Sequence, residues 1–413
     1  MKKALVFAGG GSKGAYEYGA WKALEEMGLE FDIVTGTSIG SINAALYVQH
    51  DFDAATVVWN EMDMDHVMVN GIQLDAKLKS IVEQRKGVIP FLKSYINSKG
   101  ADIAPFIQTI ETYQNSEKFF RSNVDFGLVT VRFPSMTPVE ILKKDIKEDY
   151  LGRWVLASCS CFPIFPICEI DGQSYIDGGY YDNLPIATAF RLGADSVVAI
   201  DLNHEGAHPA YMRHPLVTYI KPSKDLGGFM RFDRAAMDWM IAIGYNDTMK
   251  AFGRLYGNQY SFLLPDMDRL HALAMDFVKD ITYYEISGVF SLSSLLSRPL
   301  VNAPCTDIFT KGSLAETLTP ERYFLLALEK TMELFDYPDS EIYSMRDVFS
   351  RLIKDSAEAI DPGAEERQAS VDQLTKLIKS RSEKRQKGIR LFEHDYEQMI
   401  AVSLINCIIK HTV

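Results

Sequence analysis

At 413 residues with 47% hydrophobic content, the chain is too long for one compact core and too apolar to be disordered, so one large domain with an appended one is expected. Forty-three Lys and Arg against 55 Asp and Glu give a net charge of −12, which argues against nucleic-acid binding through a general basic field. Five cysteines do not make a disulfide scaffold: the number is odd, and the cluster Cys159, Cys161 and Cys168 lacks the spacing of a zinc site, so buried small side chains in a reduced compartment are expected.

Lys3–Ala8 reads as a first strand rather than a signal peptide, being short and meeting glycines instead of a cleavage site. Tyr16, Ala20, Ala23, Leu24 and Met27 then recur at helical spacing, with Gly28 as the stop. Phe31–Thr35 reads as a second strand, followed by a helical pattern through Ile42, Ala45 and Leu46, and helical patterns fill much of 52–121. Phe126–Phe133 and Pro138–Leu142 read as strands around a Pro134-Ser135-Met136 turn, and a helix is expected over about 147–158. Ser174–Ile176 leads as a strand into Asp177-Gly178-Gly179, Pro185 opens a helix that stops at Gly193, and Ser196–Asp201 is a fully buried strand. This alternation predicts an α/β fold with a mainly parallel sheet sandwiched by helices in three layers. Helix starts at Thr319-Pro320-Glu321 and Asp361-Pro362, with few β-branched runs, predict a mainly helical C-terminal domain over 259–413 after a first domain of 1–258. No stretch reaches the roughly 20 apolar residues of a membrane-spanning helix, and a cytoplasmic protein is expected.

Gly9-Gly10-Gly11-Ser12-Lys13-Gly14 lies between the first strand and the first helix. Glycines there permit positive φ and turn backbone N–H groups toward an anion at a helix N-terminus. A Walker A loop is excluded by Ala15 where a lysine is required. A dinucleotide site would want an acid at the end of the second strand, where Val34-Thr35-Gly36 stands instead. An oxyanion hole is the third reading.

Gly36-Thr37-Ser38-Ile39-Gly40 is a G-x-S-x-G pattern between a strand and a helix, the setting of a nucleophile elbow. None of the eight histidines sits in a catalytic setting, so they read as solvated surface residues. Asp177, at a strand end before two glycines, is the alternative base.

Together these motifs resemble the patatin-like phospholipase family, across roughly residues 4–202. Gly9–Gly14 matches its glycine-rich oxyanion loop, Gly36, Ser38 and Gly40 its nucleophile elbow, and Asp177-Gly178-Gly179 its aspartate motif. Ala157-Ser158, Phe162-Pro163-Ile164-Phe165-Pro166 and Asp182-Asn183-Leu184-Pro185 are supporting matches. The resemblance implies a Ser38–Asp177 dyad acting on acyl esters of lipids, with no metal or cofactor. The oxyanion donors are expected among Gly9, Gly10, Gly11 and Ile39. The competing readings are a catalytically silent binding or scaffold protein with the same fold, and a dinucleotide-binding enzyme using Gly9, Gly11 and Gly14.

A lipid ester substrate in a bilayer would call for peripheral membrane contact. Two segments are candidates for it: the apolar loop Phe162–Ile167, and the basic stretch from Lys376 to Arg390.

Overall fold

Strands without a polar alternation need cover on both faces, and a computed structural model of the chain provides it. It describes residues 1–69, 101–206, 208–286, 319–360 and 395–412, which fall into two units, Met1–Gly253 and Arg254–Val413. Besides short helical turns, the first unit holds in chain order β1 (Lys3–Phe7), α1 (Gly14–Glu26), β2 (Ile33–Thr37), α2 (Ile39–Val48), α3 (Phe52–Glu61), α4 (Ala104–Tyr113), α5 (Ser116–Arg121), β3 (Asp125–Phe133), β4 (Thr137–Leu142), α6 (Leu151–Cys159), β5 (Cys168–Ile170), β6 (Gln173–Asp177), α7 (Ile186–Arg191), β7 (Ser196–Ile200), β8 (Val217–Ile220) and α8 (Arg234–Ala251).

These strands form one eight-stranded sheet in the order β5-β6-β3-β2-β1-β7-β8, with β4 also paired to β3. The run β3-β2-β1-β7-β8 is parallel throughout. Successive residues of β2 show the two covered faces. The Thr35 hydroxyl donates to the Pro185 carbonyl at 3.0 Å, just before α7. Gly36 points the other way, where an added Cβ would stand 2.2 Å from the Gly40 carbonyl oxygen in α2. The expected three-layer α/β/α architecture is what the chain adopts.

One register positions the site. Residues 127–129 of β3 pair with β2 on one edge and β4 on the other, and residues 130–132 pair with β6 and β4. β2 and β6 therefore share an edge of β3 and run toward each other along it. Thr37 ends β2 level with Val129, and Asp177 ends β6 level with Thr130. Two strand ends remote in sequence meet head to head.

The structure departs from the sequence reading in several places. β2 runs two residues later than the expected Phe31–Thr35. β5, β8 and α8 were not foreseen. α8 lacks a clean apolar stripe because it buries Asn246, Asp247 and Thr248 alongside its methionines. It packs closely on α1, where an added Cβ at Gly19 would lie 2.0 Å from the Ile241 oxygen, and one at Gly244 2.0 Å from the Tyr16 oxygen.

The second unit is mainly helical among its described residues, with α9 (Met267–Ile286), α10 (Pro320–Leu334), α11 (Met345–Ile360) and α12 (Asp395–Thr412). The expected cap and first-turn proline open α10, the Thr319 side chain accepting from the Arg322 N–H. Phe277, Phe324, Leu328, Leu352, Leu404 and Ile405 share its core. A two-residue parallel ladder, β9 (Ser261–Phe262) with β10 (Ile342–Tyr343), interrupts the helical pattern. The start expected at Asp361-Pro362 and the basic stretch Lys376–Arg390 lie outside the described residues.

Candidate active site

Ser38 occupies the junction between β2 and α2 with φ 53° and ψ −128°, a backbone conformation a non-glycine residue adopts only when its surroundings enforce it. The enforcement is visible. Its N–H donates to Ser158 Oγ at 2.9 Å, and that buried hydroxyl in turn donates to the Val129 carbonyl at 2.7 Å. Its carbonyl accepts from Ser41 Oγ at 2.6 Å and from the Ser41 N–H at 2.8 Å. Gly36 and Gly40 let the strand and helix approach closely enough for this turn: an added Cβ on Gly40 would be 2.5 Å from the Ala8 oxygen. Ser158, which the sequence marked only as a supporting match, is thus a support of the elbow itself.

The elbow aims Ser38 Oγ at Asp177, and the hydroxyl donates to Oδ2 at 2.6 Å. The other carboxylate oxygen accepts from the Gly179 N–H at 2.7 Å. Gly178 is required by the meeting of strand ends, since a Cβ there would stand 2.1 Å from the Val129 oxygen. Asp177 is 5% exposed, and burial pushes its pKa from 3.8 up to about 6, against the opposing pull of the Ser38 and Gly179 hydrogen bonds. Among the described residues, no histidine is a hydrogen-bond partner of Ser38 or Asp177. His204 is exposed, as the surface reading expects, and lines the cavity above the site, with one ring nitrogen, Nδ1, 2.8 Å from the Pro222 carbonyl oxygen.

A raised carboxyl pKa has a consequence for stability. The folded state holds the Asp177 proton more tightly than the unfolded chain, so this contribution is fully present below about pH 4. It is lost as pH rises through about 6. At about 1.4 kcal/mol per pH unit, the ionised group costs the fold about 3 kcal/mol. Asp177→Asn is therefore expected to gain in melting temperature relative to the parent as pH rises from 4 to 8; a constant difference across that range would contradict the buried, raised carboxyl.

The glycine loop lies beside the serine, an added Cβ on Gly9 falling 3.0 Å from Ser38 Cβ. Its amides divide in use. The Gly9 N–H donates to the Asn183 carbonyl at 2.9 Å, and Asn183 Nδ2 donates back to the Gly9 oxygen at 2.8 Å. Gly9 thereby leaves the expected set of oxyanion donors and becomes an anchor. The amides of Gly10 and Gly11 have no acceptor among the described residues, and that of Ile39 is one of the free donors of the first turn of α2. Gly10 is extended at φ 173°, whereas Gly11, at φ 57°, is the left-handed position. Gly14 opens α1 against Trp59 and Ile39, and Gly179 lies against Asn183.

A cavity of about 670 Å³ opens on Ser38 and Asp177. Met62, Val67, Phe106, Ile164 and Phe165 give it an apolar wall, with Phe106 and Phe165 in edge-on contact at 5.5 Å; Asn203, His204, Glu205 and Asp225 contribute polar groups. Ile164 and Phe165 are buried, so the middle of the apolar loop proposed for membrane contact packs inward and forms this wall. Cys159 and Cys168 are buried, as expected, while Cys161 is half-buried at the cavity.

With that geometry in place, comparison with known proteins finds matches in sequence and in structure. The family model for patatin-like phospholipases matches residues 5–190. Lysophospholipase NTE1 of Coccidioides immitis is 31% identical over 206 residues, covering 48% of this chain and 11% of that protein. Lysophospholipase nte1 of Emericella nidulans is also 31% identical over 206 residues, covering 48% and 12%. The match thus takes in only about a tenth of the length of these relatives. Among solved structures, VipD from Legionella pneumophila overlays with a TM-score of 0.40 at 13% identity, covering 98% of this chain and 91% of VipD.

Proposed function

The chain belongs to the patatin-like phospholipase family through residues 5–190, and from that premise we propose that it is a serine acyl hydrolase that cleaves fatty-acyl esters of lipids with a Ser38–Asp177 dyad. The single observation that carries this reading is the 2.6 Å hydrogen bond from a strained serine at the cavity to a buried carboxylate. Asp177 takes the Ser38 proton as Oγ attacks the ester carbonyl, and the amides of Gly10 and Gly11, with Ile39, receive the oxyanion. Collapse expels the alcohol, which carries off the proton held by Asp177, and leaves an acyl-enzyme. Water then gives a proton to Asp177 and attacks the acyl carbonyl, freeing the fatty acid and returning the proton to Ser38. A carboxyl at about pKa 6 is a far better base at neutral pH than an ordinary one at 3.8.

The apolar wall of the cavity suits an acyl chain, and the lysophospholipase relatives make a single-chain phospholipid the first substrate to assay. The purified protein is expected to release fatty acid from such a lipid, and the Ser38→Ala variant to release none. A folded protein that hydrolyses no acyl ester would favour the silent-scaffold reading.

The pH profile follows from the same group. Because Asp177 must be ionised to accept the proton, kcat/KM is expected to fall about tenfold per pH unit below about 6 and to level off above it. A profile flat from pH 4.5 to 8 would exclude Asp177 as the base. Peripheral contact with an anionic membrane surface is a further part of the proposal, tested by salt-sensitive co-sedimentation of Ser38→Ala protein with vesicles.

A further inference from the structure

One buried carboxyl has no role in the chemistry above. Glu17 lies in the first turns of α1 and is completely buried. Its Oε1 accepts from the Ala8 N–H at 2.5 Å, and its Oε2 accepts from Asn43 Nδ2 at 2.8 Å. Asn43, also fully buried, is on α2 and accepts through Oδ1 from Trp59 Nε1 at 2.9 Å, with its Nδ2 also 3.4 Å from the Gly14 carbonyl. Trp59 leaves Asn43 no freedom to flip, because its indole nitrogen only donates. Both Glu17 oxygens therefore face donors, an arrangement that calls for the ionised, acceptor-only form although burial drives the pKa upward. Keeping a carboxyl in such a place is expensive unless its oxygens are hydrogen-bonded, and here each oxygen accepts one hydrogen bond.

The position of those bonds points to their use. Ala8 is the first residue beyond β1, and Gly9, Gly10 and Gly11 follow it. Glu17 extends the fixed backbone by one residue past the end of the strand, and Asn183 fixes the next. Through Asn43 the same carboxylate reaches the helix that begins immediately after Ser38. We propose that Glu17, with Asn43, is a positioning residue that locks the oxyanion loop to the nucleophile helix and so sets the distance between the Gly10 and Gly11 amides and Ser38 Oγ. This rests on the hydrolase reading, and it adds a requirement that reading does not contain.

The test exploits the donor–acceptor count. In Glu17→Gln the new amide group must face a donor, either Ala8 N–H or Asn43 Nδ2, so one bond turns repulsive. The double variant Glu17→Gln/Asn43→Asp moves the carboxylate one residue along the chain of bonds. The carboxylate now at position 43 accepts from both the new amide at position 17 and the Trp59 indole, so the count balances again along this chain of bonds, at the loss of the long 3.4 Å contact to the Gly14 carbonyl. Glu17→Gln is expected to lower kcat by about tenfold or more with little change in KM. It should weaken a trifluoromethyl ketone, whose adduct places an oxyanion in the hole, by the same factor, and leave affinity for the fatty-acid product unchanged. The double variant should recover most of both losses. Unchanged kcat in folded Glu17→Gln would overturn the proposal, and so would a double variant that folds but stays as slow as the single one. If the single variant does not fold, the double variant decides alone: near-parental kcat supports the proposal, and a folded but slow protein overturns it. Labelling of the parent by a fluorophosphonate separates the two levels, because a labelled parent with an unaffected Glu17→Gln sinks only this inference, and an unlabelled parent sinks the hydrolase reading with it.

Discussion

Ser38→Ala and Asp177→Asn are each expected to abolish ester hydrolysis, and the double variant to lose no more than either alone. The hydroxyl and the carboxylate are joined by a 2.6 Å hydrogen bond, with no histidine between them, so neither has a partial substitute. Residues that act as one unit give strongly non-additive losses, here roughly 10⁴-fold or more for each single change. An asparagine at position 177 can still hold the Gly179 N–H through its carbonyl oxygen, which keeps the turn, but it cannot take a proton from serine. Steady-state rates for the two single variants and the double one, with melting curves to show folding, check this. Substantial turnover in Asp177→Asn, or loss of turnover on replacing His204 by Ala in a folded protein, would overturn the two-residue mechanism.

Gly11→Ala carries the second large effect. Gly11 has φ 57°, in the left-handed region where an alanine costs roughly 1–2 kcal/mol, and its new Cβ would also meet the Phe229 carbonyl oxygen at 2.2 Å. The backbone must move, and with it an amide proposed to receive the oxyanion. A loss of about 2 kcal/mol or more in stability is expected from strain alone, and a loss of roughly 100-fold in kcat from one displaced donor. Melting temperature and kcat measured on the same preparation distinguish the two effects. A Gly11→Ala protein that turns over at the parental rate would place the oxyanion elsewhere. Gly10, being extended, carries no such conformational penalty.

Much of the site is local in the chain and for that reason readable from it. A nucleophile elbow needs small residues at fixed offsets around the serine, and Gly36, Ser38 and Gly40 stand in that order between a strand and a helix. Asp177 could be nominated only by its strand end and the glycines after it. What brings it to Ser38 is the double pairing of β3, which seats β2 and β6 end to end on one edge, and no local pattern encodes that register. Gly9 stands among the expected donors because three adjacent glycines look alike until Asn183, 174 residues away, is seen to engage the N–H and the carbonyl of one of them. Glu17 is singled out by no pattern in the sequence, and only the fold shows it buried. Ser158 and the polar residues inside α8 were hidden for the same reason: a buried polar side chain is recognised by its partners, which are distant in sequence.

The most direct test of the central claim is the rate and site of modification by a fluorophosphonate, read by peptide mass spectrometry on the parent and on Asp177→Asn. The probe bonds only to an activated nucleophile and requires no knowledge of the natural lipid. A single adduct on Ser38 is expected, forming at a rate that rises with pH through about 6 in the parent and lost in Asp177→Asn. An adduct on another residue, or one forming on Ser38 equally fast without the Asp177 carboxylate, would contradict that claim.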